Sequence, residues 1–257
     1  MHSAHFRSLA TLLLGTAVLV AAQGMLLAIV PLRLNALDAS ATAAANVGAA
    51  YFTGFFIGAW GGDHVIRTVG HIRAYTGLIA LVIAATLALW VLPSVPAWAG
   101  LRLIHGAAAG GAFLAIEGWL NSASADAWRG RVLAAYMIIT LGALGGAQMF
   151  VGLFEVGTAM PFVIAGILYA LSIVPIALTR IDAPGGEQIG QMSLKALYNA
   201  SPFSLIASFS AGLVVGAFWT IGPFFAADIG LGIEQIGQLM ATAIFCGLFL
   251  QWPAGYL

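Results

Sequence analysis

Residues 73–96 read RAYTGLIALVIAATLALWVLPSVP. Arg73 opens the stretch, Pro93-Ser-Val-Pro96 closes it, and no charged side chain lies between. A hydrocarbon layer of ~30 Å takes about 20 apolar residues of α-helix to cross. Segment 75–92 is of that kind, with an arginine on one flank and a proline break on the other.

The same pattern recurs on both sides. Eight apolar segments run roughly over 8–31, 41–62, 75–92, 97–121, 131–153, 159–179, 203–226 and 236–257. Asp126, Arg129 and Arg131 divide the fourth from the fifth. Over the whole chain 61% of residues are hydrophobic and 7% charged, and mean hydropathy is +1.01. A soluble domain needs a polar shell of about 25% charged residues. This chain cannot cover itself for water, so its solvent is lipid. Net charge is zero, which gives no reason to expect a nucleic-acid partner. Cys246 is the single cysteine; it can form neither an internal disulfide nor, alone, a metal site. The 32 glycines suit helices that approach closely in a membrane.

Charge placement sets the expected orientation. With the N-terminus in the cytoplasm, the inner segments hold Arg7, Arg67, Arg73, Arg129, Arg131, Arg180 and Lys195, seven of the nine cations. Outer loops hold Arg33, and Arg102 falls within the fourth segment. Cytoplasmic loops are enriched in Lys and Arg, and moving the helix parity by one would reverse the asymmetry. The expectation is a membrane crossed many times, with the N-terminus on the cytoplasmic side. Arg7 and the small residues Val20-Ala21-Ala22 have the look of a cleavable leader, but the apolar run continues through Val30. A retained first helix is therefore expected.

The longest polar stretch, Arg180 to Ser201, follows six apolar segments. It divides the chain into an expected six-helix bundle (1–180), a cytoplasmic linker (181–201) and the start of a second bundle (202–257). Within the linker, Ser193 to Ala200 could form a short interfacial helix, although a solvated loop is the simpler expectation. After it, Thr220-Ile-Gly-Pro223 resembles Ala28-Ile-Val-Pro31, and Phe245-Cys-Gly247-Leu-Phe-Leu resembles Phe52-Thr-Gly54-Phe-Phe-Ile. The offsets, 223 − 31 = 192 and 247 − 54 = 193, align segments seven and eight with one and two. Parallel repeats of this sort are a transporter architecture.

Tyr51-Phe-Thr-Gly54-Phe-Phe-Ile-Gly58, Val65-Ile-Arg67-Thr-Val-Gly70-His71-Ile-Arg73, Arg129-Gly-Arg131-Val-Leu-Ala-Ala-Tyr136-Met and Gln251-Trp-Pro-Ala-Gly255 together resemble the major facilitator superfamily, and within it the YcaD-like bacterial branch. The resemblance covers essentially the whole chain and implies a bacterial-type inner membrane as its location. It implies an all-α membrane fold: a first six-helix half plus the first two helices of a second half, cut at about helix eight of twelve. On that expectation the chain alone does not transport, because part of the cavity wall is missing.

The resemblance also singles out residues. The family's helix 2–3 loop motif, anchored on Gly70, puts Asp63 at its leading Gly and Arg67 at its Asp. It implies a gating loop of Asp63, Arg67, Gly70 and Arg73, with Gly70 permitting the turn and the basic residues facing anionic headgroups. Simple positive-inside anchoring by Arg67 and Arg73 reads equally well. Arg102-Leu-Ile-His105-Gly106 resembles the family's R-x-x-Q-G motif, with His105 in the Gln place. A guanidinium inside a membrane helix costs at least ~2.5 kcal/mol unless it meets water or a partner. The resemblance implies that Arg102 lines the central cavity and binds an anionic group or influences proton coupling; snorkelling to the outer interface is the alternative.

His105 is an imidazole of the kind that titrates near neutral pH, or else a hydrogen-bonded helix residue. Glu117 lies ~22 Å along the helix from Arg102 at 1.5 Å per residue, so the two cannot pair. A carboxylate there either carries a proton or forms an interfacial ion pair with Arg129 or Arg131. Gln23 and Gln148 either reach substrate or bond across helices. Trp219 and Tyr136 read as packing or interface anchors. Gly142, Gly145 and Gly146 suit close packing, while the Gly-Pro run of the family's antiporters lacks its Pro here.

The expected function is secondary active transport of a small solute by alternating access, coupled to protons through Arg102, His105 and Glu117. No G-x-x-x-x-G-K-[ST] run is present, and no cofactor, metal or obligatory oligomer is expected. Two rivals remain. A membrane enzyme would need catalytic groups at one depth, yet His105 and Glu117 are ~18 Å apart along one helix, and no H-E-x-x-H or G-x-S-x-G occurs. A non-transporting receptor or assembly protein would keep the fold and be indifferent to Arg102→Ala.

Overall fold

A computed structural model describes residues 2–123, 128–178 and 194–254. Among these, all regular structure is helical. The elements are α1 (His2–Ala36), α2 (Ala41–Val69), α3 (His71–Val91), α4 (Val95–Ala123), α5 (Arg129–Met149), a 3-10 turn (Val151–Leu153), α6 (Met160–Ala177), α7 (Leu194–Ala200), α8 (Pro202–Asp228) and α9 (Ile233–Ala254). Asp126, Arg180 and residues 181–193 of the expected linker lie outside the described residues.

Each of the eight apolar segments is a helix, often longer than its apolar part. Pro31 does not end α1, and Pro223 does not end α8. Each proline sits five residues before its helix ends (36 − 31 and 228 − 223), which extends the sequence repeat into geometry. α2 runs seven residues past its expected end at residue 62 (69 − 62), carried by an Asp63–Arg67 ion pair one turn apart. The expectation of a solvated loop at 193–200 is corrected: Leu194–Ala200 is helical. Ser201 alone separates it from α8. The Ser201 N–H closes on the Leu197 carbonyl, and its hydroxyl accepts from the Ser204 N–H. One residue thus ends a helix and caps the next.

Seven of the eight long helices are apolar enough over 18 residues to cross a membrane; α2 is the exception. Its 29 residues reach ~43 Å at 1.5 Å each, so length is not what it lacks. It is rich in Gly, Ala and Thr because it packs backbone to backbone. Gly54 and Gly58 face the carbonyls of Leu103 and Ala107 on α4, and Gly106 and Gly110 face the carbonyls of Tyr51 and Phe55 on α2. A β-carbon at any of the four would run into the opposing backbone. Both helices therefore carry glycine four residues apart on the shared face, the arrangement that lets membrane helices touch.

α1 is the most enclosed helix, packed against α4, α5, α6 and α8. α9 crosses α5, where Gly145 admits the Phe245 ring and Gly237 admits the Gln148 carbonyl; Gly142 and Gly146 have open space. α8 leans on α1 and α2 and exposes Phe203, Phe209, Leu213 and Val214. Large apolar side chains are also exposed on α2, α3, α5 and α6. Such a surface fits acyl chains and not water. The chain is a multi-pass helical membrane protein.

The two ends of the bundle differ. The last turn of α1 meets the last turn of α3, with the Arg33 guanidinium 5.3 Å from the Trp90 ring centre. At the other end Gly70 joins α2 to α3, His71 lies beside Gly118 of α4, and Glu117 meets Tyr136 of α5. Arg67, Arg73, Arg129 and Arg131 all belong to that second end.

Candidate functional site

α4 presents Arg102 and His105 one turn apart, and the close contact with α2 holds that face inward. Arg102 is only 3% exposed, and His105 is fully buried. The guanidinium does not reach an outer interface; it lies over the Tyr51 ring of α2, 4.1 Å from its centre. Its Nε and Nη1 have no hydrogen-bond partner. A cation–π contact returns ~2 kcal/mol when desolvated, while each buried donor left unpaired costs ~1–3 kcal/mol, more when charged. The ring alone does not offset the burial.

Arg102 lines a cavity of about 20 Å³ together with Leu27, Pro31, Gly48, Phe52, Trp219 and Thr220, room for about one water molecule. The walls come from α1, α2, α4 and α8. Thr220 packs so tightly on Gly48 that a β-carbon there would collide with it. α8 therefore forms one wall of the cavity, in contact with α2.

Beside Arg102, four helices meet in one polar cluster. His105 Nε2 is 3.3 Å from Gln23 Oε1 on α1 and 3.4 Å from the Tyr169 hydroxyl on α6. Tyr169 donates to Gln23 Oε1 at 2.8 Å. Thr86 of α3 lies 3.5 Å from His105 Nδ1. Gln23 Oε1 is an acceptor, so the arrangement fits a neutral imidazole with its proton on Nε2 and Nδ1 facing the Thr86 hydroxyl. Tyr51 stacks edge-on to His105, ring centres 5.8 Å apart, and so joins the cluster to Arg102. Gln23 Nε2 is buried without a partner.

The other expected residues lie apart. Gln148 is buried and donates to the Gly24 carbonyl at 2.6 Å, tying α5 to α1; its Oε1 is unpartnered. Glu117 is exposed and accepts from the Tyr136 hydroxyl at 2.7 Å. Asp63 pairs with Arg67 on its own helix. Gly70 adopts φ 86°, ψ 161°, a conformation essentially confined to glycine, and the whole connection between α2 and α3 is this one residue. Arg73 stands in the first turn of α3.

Sequence reasoning missed Thr86 and Tyr169. Each is a hydroxyl in an apolar segment, where lipid offers no partner, and that was the available signal. Tyr51 was noticed only as part of a motif. Trp219, read as a packing or interface anchor, is nearly buried and lines the cavity.

The family model of the Major Facilitator Superfamily matches residues 12–257. Proteins called uncharacterized MFS-type transporter YcaD in Salmonella arizonae and Salmonella typhi are 27% identical over 259 residues, covering 99% of this chain and 67% of theirs. The chain thus spans about two thirds of the length of these relatives. The crystal structure of a D-xylose–proton symporter superposes with TM-score 0.68 at 14% identity, over 95% of this chain and 66% of that one. The nucleoside transporter NupG superposes with TM-score 0.71 at 15% identity, over 97% and 67%. At such identities these two likenesses concern the fold.

Proposed function

The chain belongs to the Major Facilitator Superfamily, a family of transporters and not of enzymes, and from that premise we propose that it takes part in secondary active transport of a small solute by alternating access, coupled to a proton gradient. Residues 1–180 act as one bundle and 202–257 as the start of the other. Solute binds where they meet, at the cavity between α1, α2, α4 and α8. Arg102 contacts the solute, and Gln23 and His105 support it from the adjoining cluster. The Glu117–Tyr136 pair is the proton-carrying candidate at the opposite depth. Asp63, Arg67, Gly70 and Arg73 form the gating loop, facing the cytoplasm of a bacterial-type inner membrane, with the N-terminus on the same side.

One observation carries this reading: a buried guanidinium with two unpaired donors belongs to a residue lining a cavity that a helix of the second segment helps to wall. A structural arginine would have its donors satisfied. His105 lies one turn further along the same helix, its Nε2 within reach of Gln23 and Tyr169, which sets a proton-accepting side chain beside the cavity and supports the proton coupling. The D-xylose–proton symporter of similar fold is in keeping with that coupling.

The test is a thermal-stabilisation screen of the detergent-purified protein against small solutes at two pH values, on the native chain and on Arg102→Ala. A solute that stabilises the native chain in a pH-dependent way, and not Arg102→Ala, is the expected result. Stabilisation that Arg102→Ala leaves intact would overturn the role of this cavity, and a response unchanged between the two pH values would overturn the coupling.

A further inference from the structure

α8 touches the first bundle along one half only. Trp219, Pro223, Phe224 and Ala226 are buried, whereas no residue from Pro202 to Phe218 is. Two steps of that contact fall on α2. Thr220 packs on Gly48, and Gly216 lies under the Phe52 ring. Residue numbers rise along α2 as they fall along α8, so the helices run antiparallel, and the step is four residues on both. Positions four apart recur on nearly one face of a helix, and this is the spacing by which membrane helices cross closely.

The next steps in the same register are open. They set Phe56 opposite Gly212, Trp60 opposite Ser208 and His64 opposite Ser204. Phe56 and Trp60 are 59% and 56% exposed and rest on each other, ring centres 5.7 Å apart. Gly212 has open space around its α-carbon, and Ser204 and Ser208 are exposed. The open half thus repeats the Phe52–Gly216 step, with a ring on α2 facing a small residue on α8. With 3.6 residues per turn, Phe56 and Trp60 point away from Gly54 and Gly58, so the contact with α4 leaves them free. Lipid accommodates the two rings, but it offers the serine hydroxyls at the matching positions of α8 no partner.

Resting on the alternating-access reading, we propose that α2 and α8 form a zipper with two mutually exclusive closures. In this structure the Gly48–Thr220 and Phe52–Gly216 steps are shut, in the half where α8 finishes. In the other access state they part, and Phe56 seats on Gly212 and Trp60 on Ser208, sealing the end where α8 begins. No proline lies between Ser204 and Thr220, so this stretch of α8 moves as one rod. Rocking that brings one end toward α2 takes the other away.

Disulfide trapping tests this. Cys246, the single cysteine, is first replaced by Ser. Three cysteine pairs are then oxidised with copper phenanthroline in membranes: Phe56→Cys with Gly212→Cys, Trp60→Cys with Ser208→Cys, and Ile57→Cys with Gly212→Cys. Ile57 is as exposed as its neighbour, at 53%, but lies off the register. The expected result is a cross-link within one chain for the first two pairs and little for the third. Gly48→Ala, whose methyl collides with Thr220, weakens the closure now shut and should speed trapping of the 56–212 pair about fivefold or more. Equal trapping of the 57–212 pair overturns the register, and a product of twice the chain's mass shows that a second copy covers the face instead. No cross-link at either registered pair overturns the second closure. Trapping that a folded Gly48→Ala protein leaves unchanged overturns the exclusion of one closure by the other; the comparison of pairs stands even if that variant does not fold. No solute enters the experiment, so its failure leaves the cavity reading intact, and that reading fails separately in the thermal-stabilisation screen.

Discussion

The Arg102 guanidinium rests on the Tyr51 ring, 4.1 Å from its centre, and that same ring meets the His105 imidazole edge-on. One aromatic side chain of α2 thus holds two chemically different groups of α4. Tyr51→Leu removes the cation–π contact and the ring packing, and a loss of about 2–4 kcal/mol is expected from the two together. Tyr51→Phe keeps the face of the ring and should cost under about 1.5 kcal/mol. Thermal unfolding in detergent distinguishes them; equal losses would mean that the ring face contributes nothing.

The α2–α4 contact predicts a sharp contrast between neighbouring glycines. Gly58→Ala drives a methyl into the Ala107 carbonyl, whereas Gly61→Ala meets open space. Gly58→Ala should destabilise by about 1–3 kcal/mol or more, since the methyl meets backbone that cannot swing aside. Gly61→Ala should be neutral or stabilise by up to about 1 kcal/mol, because alanine loses less freedom in a helix. Comparing the two melting temperatures checks this.

How far the fold was legible follows from what lipid demands. An apolar run must be helical in a bilayer, so segment 75–92 and its seven counterparts were each readable from composition. Where the chain leaves the apolar phase that rule lapses, and there the reading slipped. α2 runs past its apolar part to Val69, and the short helix Leu194–Ala200 was read as a loop. The candidate site was partly legible. Arg102, His105 and Gln23 are conspicuous because charge and amide are rare in such helices. Thr86 and Tyr169 are single hydroxyls on helices far apart in sequence, and only the packing of α1, α3, α4 and α6 brings them together.

Gly70 is a single-residue connection at φ 86°, ψ 161°, with open space around its α-carbon. Any replacement is strained by backbone geometry and not by neighbours. Gly70→Ala is expected to cost about 1–3 kcal/mol without altering solute binding at the far end of the bundle. An unfolding measurement paired with the thermal-stabilisation screen separates the two effects; a large loss of solute response with unchanged stability would contradict the expectation that the gating loop acts apart from the binding cavity.

The bond from Tyr136 to Glu117 joins α5 to α4 where their connection is short. Glu117 is exposed, so solvent or headgroups weaken the pair, and a double-mutant cycle with Tyr136→Phe and Glu117→Gln should give a coupling of about 1 kcal/mol or less. A coupling indistinguishable from zero would mean that the two side chains are held in place independently.

Orientation gives the last prediction. Arg73 lies in the first turn of α3 and Arg131 in the first turn of α5, two crossings later, so both belong to one face of the bilayer. Arg33, in the last turn of α1, belongs to the other. Cys246 is exposed and must first be replaced by Ser. Single cysteines at 73, 131 and 33 are then labelled in intact cells with a membrane-impermeant maleimide. With Lys- and Arg-rich segments held inside, position 33 should react from outside, while 73 and 131 should react only after permeabilisation. Opposite behaviour of 73 and 131 would contradict the helix count, and joint reversal of all three would invert the topology.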